Sequence, residues 1–281
     1  MVNMVLPDAV CLTEPETGYP VFEISHSKCS ARVALHGAHV MSWRPVGHEE
    51  VLYLSPDAVF QEGTPIRGGI PVCWPWFNRH PNDPALPSHG LVRGRFWELL
   101  YAGSDASGVT LLFGVQDGSW NAQLRVQAGE QLEVTLISQN ESKAPIRVSG
   151  ALHTYLAVSD IRKARVTNLD DCPYIDMVGT PSLRTQAGDL TFAGEVDRIY
   201  DSTEHTTLVD DVSARTVLIE KNGSPSTVVW NPWVDKAAAL ADLPDADYQR
   251  FCCIEAAIAN NRAATVMPGC SQILATRISL L

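Results

Sequence analysis

Short runs of β-branched, aromatic and aliphatic residues, broken by Gly, Pro, Asn and Asp, recur along nearly the whole chain, and this rhythm limits the fold more than any other feature. Val21 to Ser25, Ala31 to Leu35, His39 to Trp43 and Val51 to Leu54 come first. Val109 to Val115, Leu124 to Val126, Leu132 to Ser138 and Ile146 to Val158 follow. Thr216 to Ile219, Thr227 to Trp230, Phe251 to Ile254 and Gln272 to Leu280 complete the series. In Leu132-Glu133-Val134-Thr135-Leu136 apolar and polar residues alternate, as a strand with one buried face requires. Only Lys236 to Leu243, with an extension toward Arg250, reads as helix. Strands do not alternate with helices, no block repeats and no Ser/Gly linker divides the chain, which argues against a doubly wound parallel sheet or a solenoid. The expectation is an all-β protein, a single large antiparallel sandwich domain over residues 1–281.

One stretch breaks the rhythm. Ile66 to Trp97, IRGGIPVCWPWFNRHPNDPALPSHGLVRGRFW, holds too much Gly and Pro for a regular element, yet carries Trp74, Trp76, Trp97 and Phe77. So many apolar anchors predict a long but ordered loop. Trp74 and Trp76 serve either as core anchors or as an apolar wall for a ligand. Within the loop Arg67, Arg79, Arg93 and Arg95 face only Asp83, although the chain as a whole has 21 Lys+Arg against 32 Asp+Glu and a net charge of −11. A cationic island in an acidic chain predicts a local site for a small anion, with Arg67 and Arg93 as its guanidinium donors. The acidic balance excludes the extended basic surface that nucleic acid or an anionic membrane needs.

With 45% hydrophobic and 19% charged residues the chain is expected to be globular with a substantial core. The N-terminus shows no basic segment followed by a long apolar run, and no stretch approaches the ~20 apolar residues of a membrane span, so a cytoplasmic protein is expected. The seven cysteines are scattered without a C-x-x-C pair and are expected to be reduced, most of them as small core residues. His36 and His39 fall on opposite faces if extended and have no evident third partner, so no metal is expected there. Phosphate-cradling glycine loops and serine elbows are absent, and no cofactor is expected.

Two polar residues interrupt apolar strands: His153 in Ala151-Leu152-His153-Thr154-Tyr155, and Glu255 in Cys253-Ile254-Glu255-Ala256-Ala257. An unpaired carboxylate among apolar residues is costly, so Glu255 requires a structural partner or a chemical task. Small neighbours on the same face leave space for a ligand.

IRGGIPVCWPWF, then LPSHGLVR, ALHTYL, VDRIY, VVWNPW and CCIEAA, in that order, resemble the hexose-6-phosphate mutarotases (glucose-6-phosphate 1-epimerases) of the aldose-epimerase-like superfamily. The resemblance implies a galactose-mutarotase-like super-sandwich. It also implies His153 as general acid, Glu255 as general base, and Arg67, Arg93 and Asp197 in the substrate pocket, with His89 as a further sugar contact. Ser88 stands where the family commonly has Gln, and its shorter side chain cannot make the same reach. The implied substrate is a small sugar phosphate, and a monomer is expected. A mutarotase for free aldoses and a non-catalytic carbohydrate-binding module are the alternatives. The first differs in whether Arg67 and Arg93 meet a phosphate, the second in lacking any use for an acid–base pair.

Overall fold

The computed structural model describes residues 4–281, which form 23 strands and one α-helix, Trp233–Ala238. A four-stranded antiparallel sheet runs Val10–Glu16, Tyr19–Ser25, Cys29–Ala34, His39–Pro45. A nine-stranded sheet is ordered Leu190–Thr191, Ala164–Thr167, Thr206–Asp210, Arg215–Asn222, Ser271–Leu280, Leu132–Asn140, Trp120–Gly129, Gly108–Asp117, Glu98–Asp105. The third large sheet is ordered Ser182–Thr185, Pro173–Asp176, Val196–Tyr200, Ser226–Asn231, Phe251–Ile258, Gly150–Leu152, Val72–Cys73, with Tyr155–Ala157 also paired to Phe251–Ile258. The large antiparallel sandwich expected from the strand rhythm, and the super-sandwich that the resemblance implies, are the observed architecture. No helix among the described residues is long and apolar enough to cross a membrane.

Alternation explains the layering. Along Trp120–Gly129 the residues Ala122, Leu124, Val126 and Ala128 are buried while Gln123, Arg125 and Gln127 between them are partly exposed or exposed, so one face of the nine-stranded sheet enters the core. Phe113, Leu124, Leu136 and Ile278 of that sheet share one apolar cluster with Leu152, Val229, Phe251 and Ile254 of the eight-stranded sheet. Phe22, Val33 and Trp43 bring the four-stranded sheet into the same cluster, and the Trp43 indole N–H donates to the Gly129 carbonyl at 3.1 Å. Cys29, Cys73, Cys252 and Cys253 are buried thiols, Cys11 and Cys270 are exposed, and none is in a disulfide.

Three expectations need correction. Val51 to Leu54 is not a strand but makes isolated bridges from Leu52 to Leu156 and from Leu54 to Gly68, held in part by the Glu50 carboxylate, which accepts from three backbone N–H groups. Ile146 to Val158 is three short strands rather than one: Ile146–Val148 pairs with Ala264–Val266 in a separate two-stranded sheet, and pairing breaks again around His153 and Thr154. The helix begins at Trp233 and ends at Ala238, short of Leu243, after which turns carry Asp242 against Arg67 and a 3-10 turn spans Asp247–Arg250. The Asp242 carbonyl also accepts from Ser55 Oγ at 2.7 Å, so tertiary bonds replace the helix that local propensity favours.

The loop from Ile66 to Trp97 is irregular apart from Val72–Cys73 and the 3-10 turn Val92–Gly94, and its tryptophans anchor it. Trp74 Nε1 donates to Ser138 Oγ at 2.7 Å, Trp76 Nε1 to the Pro87 carbonyl at 2.9 Å, and Trp97 Nε1 to the Val92 carbonyl at 3.0 Å. Gly90 lies beside Trp74 with φ +79°, and a Cβ there would sit 1.9 Å from the Trp74 carbonyl oxygen. Gly179 has a similar φ of +70° but open space around it. Urea unfolding should therefore show Gly90→Ala losing more than about 3 kcal/mol, against about 1 kcal/mol for Gly179→Ala. Equal losses would mean that the close approach of backbone at Gly90 is not what the position demands.

Candidate active site

The site lies on the face of the eight-stranded sheet turned away from the main core. Val229 and Ile254 point into that core, whereas Val228, Ile199 and Ala257 join Cys73, Ala151 and Phe77 in a separate small cluster on the opposite face. Glu255 is paired in register with Val228, and Asp197 with Trp230, so the period-two rule brings Glu255, Val228, Trp230 and Asp197 to this same face. His153 projects from the break between Gly150–Leu152 and Tyr155–Ala157, with its own N–H donating to the Pro71 carbonyl at 3.0 Å. The loop lies over these strands and adds Arg67, His89 and Arg93. All six residues expected from the sequence line one cavity of about 420 Å³.

At its floor His153 Nε2 is 3.3 Å from Glu255 Oε1. The imidazole stacks on the Tyr155 ring, with centroids 4.9 Å apart and planes at 16°, and meets the edge of Trp230 at 5.8 Å. His153 Nδ1 and Glu255 Oε2 are buried with no hydrogen-bond partner. Burial pushes Glu255 well above the usual carboxylate range, aided by Asp197 and opposed by Arg93. Burial first, then His89, Arg93 and Arg67, pushes His153 well below the usual imidazole range. Burial thus biases both groups toward their neutral forms.

The walls are electrostatically mixed. Arg67 donates from Nε to Asp242 Oδ1 and from Nη1 to the Tyr155 hydroxyl, each at 3.1 Å. Arg93 donates to the Ser88 carbonyl at 2.9 Å and has no carboxylate within salt-bridge distance among the described residues. His89 adopts φ +65°, and its Nδ1 accepts from the Asn78 N–H at 3.4 Å, which leaves Nε2 as the hydrogen-bearing nitrogen. Burial, Arg93 and Arg67 lower His89 to about 3, so it is a neutral donor at ordinary pH. Asp197 is raised by burial despite Lys236, whose Nζ lies 4.0 Å away and 2.7 Å from Glu195. Arg198 does not pair with Asp197. It turns to Gln186 Oε1 at 2.9 Å and lies over the Tyr174 ring.

Trp74 and Trp76 act as anchors, and the aromatic side chains of Phe77, Tyr155 and Trp230 line the cavity instead. Ser88 contributes a backbone carbonyl to Arg93 and does not line the cavity. His36 and His39 are buried scaffold residues: His36 Nδ1 meets the Tyr19 hydroxyl at 3.0 Å and His39 Nε2 meets the Gly68 carbonyl at 2.9 Å. Sequence reasoning missed Trp230, Asn78, Lys236 and Asp242. The first carried a signal in its alternation with Val228, while Asp242 had none.

The stacked antiparallel sheets, with a buried polar site on one outer face, have the galactose-mutarotase-like fold. A crystal structure of a galactose mutarotase-like protein from Lactobacillus casei superposes with a TM-score of 0.71 at 14% identity, covering 93% of this chain and 100% of that one, a likeness of fold. The chain belongs to the aldose 1-epimerase family, whose model matches residues 20–279. A "Putative glucose-6-phosphate 1-epimerase" of Escherichia coli K12 is 34% identical over 244 residues, spanning 84% of this chain and 82% of that protein. One of the same name from Cenchrus ciliaris is 34% identical over 261 residues, spanning 86% and 78%. A crystal structure of a "putative mutarotase" from Salmonella typhimurium superposes with a TM-score of 0.92 at 29% identity, covering 100% of this chain and 96% of that one.

The raised carboxyl of Glu255 has a stability signature. Above the unfolded pKa of about 4.3 the unfolded chain ionises this group while the folded chain keeps it protonated, so folding loses stability as pH rises toward the folded pKa. Glu255→Gln removes that loss. Its melting temperature relative to the parent should therefore rise between pH 5 and pH 8, by up to about 1.4 kcal/mol of stability per pH unit. A relative melting temperature that stays flat over this range would mean that folded Glu255 is already ionised at pH 5 and would overturn the neutral assignment.

Proposed function

We propose that the protein interconverts the α and β anomers of a hexose 6-phosphate, glucose 6-phosphate in the first instance, by acid–base opening and reclosure of the sugar ring. The observation that carries this reading is the buried His153–Glu255 contact at 3.3 Å in the same cavity as Arg67 and Arg93. The names of the relatives agree with it.

Transfer of a proton from Glu255 to His153 across that contact gives protonated His153 and ionised Glu255 without changing the net charge. Glu255 then takes the proton of the anomeric hydroxyl as His153 protonates the ring oxygen, and the hemiacetal opens to the aldehyde. Rotation about C1–C2 presents the other carbonyl face, and the reverse transfers close the ring to the opposite anomer. The substrate's phosphate assists: Arg67 and Arg93 are among the charges that hold His153 neutral, and an anion between them cancels that effect. Asp197 accepts from sugar hydroxyls, and the neutral His89 donates from Nε2.

Exchange spectroscopy on chelator-treated protein should show anomer exchange of glucose 6-phosphate well above the buffer rate. Glu255→Gln and His153→Asn should each lower kcat by roughly 10²- to 10⁴-fold with substrate binding largely retained. Near-native exchange in a folded variant would remove that residue from its role, and a parent rate no faster than buffer across several hexose phosphates would leave a sugar-binding module.

The two arginines should separate in their effects. Arg93 holds one backbone carbonyl, so Arg93→Ala should weaken hexose 6-phosphate binding by about ten- to a hundredfold, spare the free hexose, and leave stability nearly unchanged. Arg67→Ala should weaken binding comparably and also lower the melting temperature, because it strands Asp242 and the Tyr155 hydroxyl. Titration of both sugars at fixed ionic strength decides it. Equal losses for phosphorylated and free sugar would favour a mutarotase for free aldoses.

A further inference from the structure

The cavity does not close at Asp197. Phe77, Asn78, Asp197 and Lys236 line it and also line a larger groove of about 1480 Å³. Beyond this shared edge the groove presents the partly exposed ring of Trp120 and the side chains of Asn82 and Asn260. It also holds Arg79 and Arg147, both exposed. Among the described residues neither has a carboxylate within 4.0 Å or a hydrogen-bond acceptor for its guanidinium. The groove's own carboxylates are engaged: Asp117 pairs with Arg95 at 3.0 Å, and Asp197 faces Lys236. Arg79 is the member of the loop's cationic island that lines this groove, in a chain of net charge −11 where carboxylate partners are plentiful.

We propose that this groove is an outer subsite for a second sugar residue bearing a phosphate. The substrates then include reducing disaccharides phosphorylated on the non-reducing residue, with the reducing hexose at His153 and Glu255. The chemistry of the lining selects this occupant. Aromatic faces at Phe77 and Trp120 suit the C–H face of a pyranose, side-chain amides suit its hydroxyls, and two unpaired guanidinium forks suit a phosphate. Ring opening occurs only at the reducing end, so the glycosidic bond and the phosphate ester stay intact and the proton transfers are those already described, here without a phosphate between Arg67 and Arg93. The inference rests on the mutarotase reading of the inner cavity.

The test compares anomer exchange by NMR for glucose 6-phosphate, maltose, cellobiose, maltose 6′-phosphate and cellobiose 6′-phosphate. Each is run with the parent protein and with the double variant Arg79→Ala/Arg147→Ala, whose two side chains are exposed. At least one disaccharide phosphate should exchange with kcat/KM about tenfold or more above its unphosphorylated parent. That advantage should fall about tenfold or more in the double variant, while glucose 6-phosphate changes less than about twofold. The outer subsite is overturned if glucose 6-phosphate exchanges and neither disaccharide phosphate does, or if the double variant slows all sugar phosphates alike. Exchange of a disaccharide phosphate without exchange of glucose 6-phosphate would keep the groove and overturn the hexose 6-phosphate reading instead. Exchange of no sugar would overturn both.

Discussion

The arrangement depends on the close seating of the loop from Ile66 to Trp97 against the outer face of the eight-stranded sheet. An irregular segment cannot satisfy its own backbone groups, so it must find partners on what it covers. Here the His153 N–H donates to the Pro71 carbonyl at 3.0 Å, the Tyr155 N–H to Gly69 at 2.9 Å, and the Ser149 N–H to Pro75 at 3.1 Å, while within the loop the Leu91 N–H donates to Trp74 at 2.9 Å. Such approaches leave no room for a Cβ at Gly69 or Gly90. Glycine at these points is a packing requirement, and its consequence is that Arg67, His89 and Arg93 stand over the strands that carry His153 and Glu255.

That roof also sets the electrostatics. It excludes water from a histidine and a glutamate that would be charged when exposed, and the nearby arginines oppose a further positive charge on the imidazole. The result is an acid–base pair in contact at 3.3 Å and biased toward its neutral forms, which suits a reaction that needs one proton given and one taken at adjacent oxygens. The roof is not uniformly rigid. Arg67 is fixed by Asp242 and Tyr155, whereas Arg93 hangs from one carbonyl and has freedom to meet an anion.

The antiparallel architecture was legible in the sequence because alternation has a period that survives without neighbours, as Leu132 to Leu136 shows. The local sequence also singled out His153 and Glu255, since a polar residue in a fully apolar strand conflicts with its surroundings. Several features were out of reach. Asp242 sits in a stretch of good helix formers, and only its partners Arg67 and Ser55, far away in the chain, pull it into a turn. The break at His153 reads as continuous strand, because no local breaker marks it and the His153 N–H meets its partner, the Pro71 carbonyl, only in the folded chain.

By itself, then, the sequence determined the strand content, the ordered character of the Gly- and Trp-rich loop, the cationic excess within it and the chemical oddity of His153 and Glu255. Each is written in residue type and spacing. Tertiary structure alone decided that Glu255 and His153 lie 3.3 Å apart, that Arg67 is tethered while Arg93 is not, and that Trp230 and Phe77 rather than Trp74 and Trp76 wall the cavity. The physical reason is that contact between segments far apart in sequence follows from strand register and from which face each strand buries. Both are settled only when all the sheets pack together.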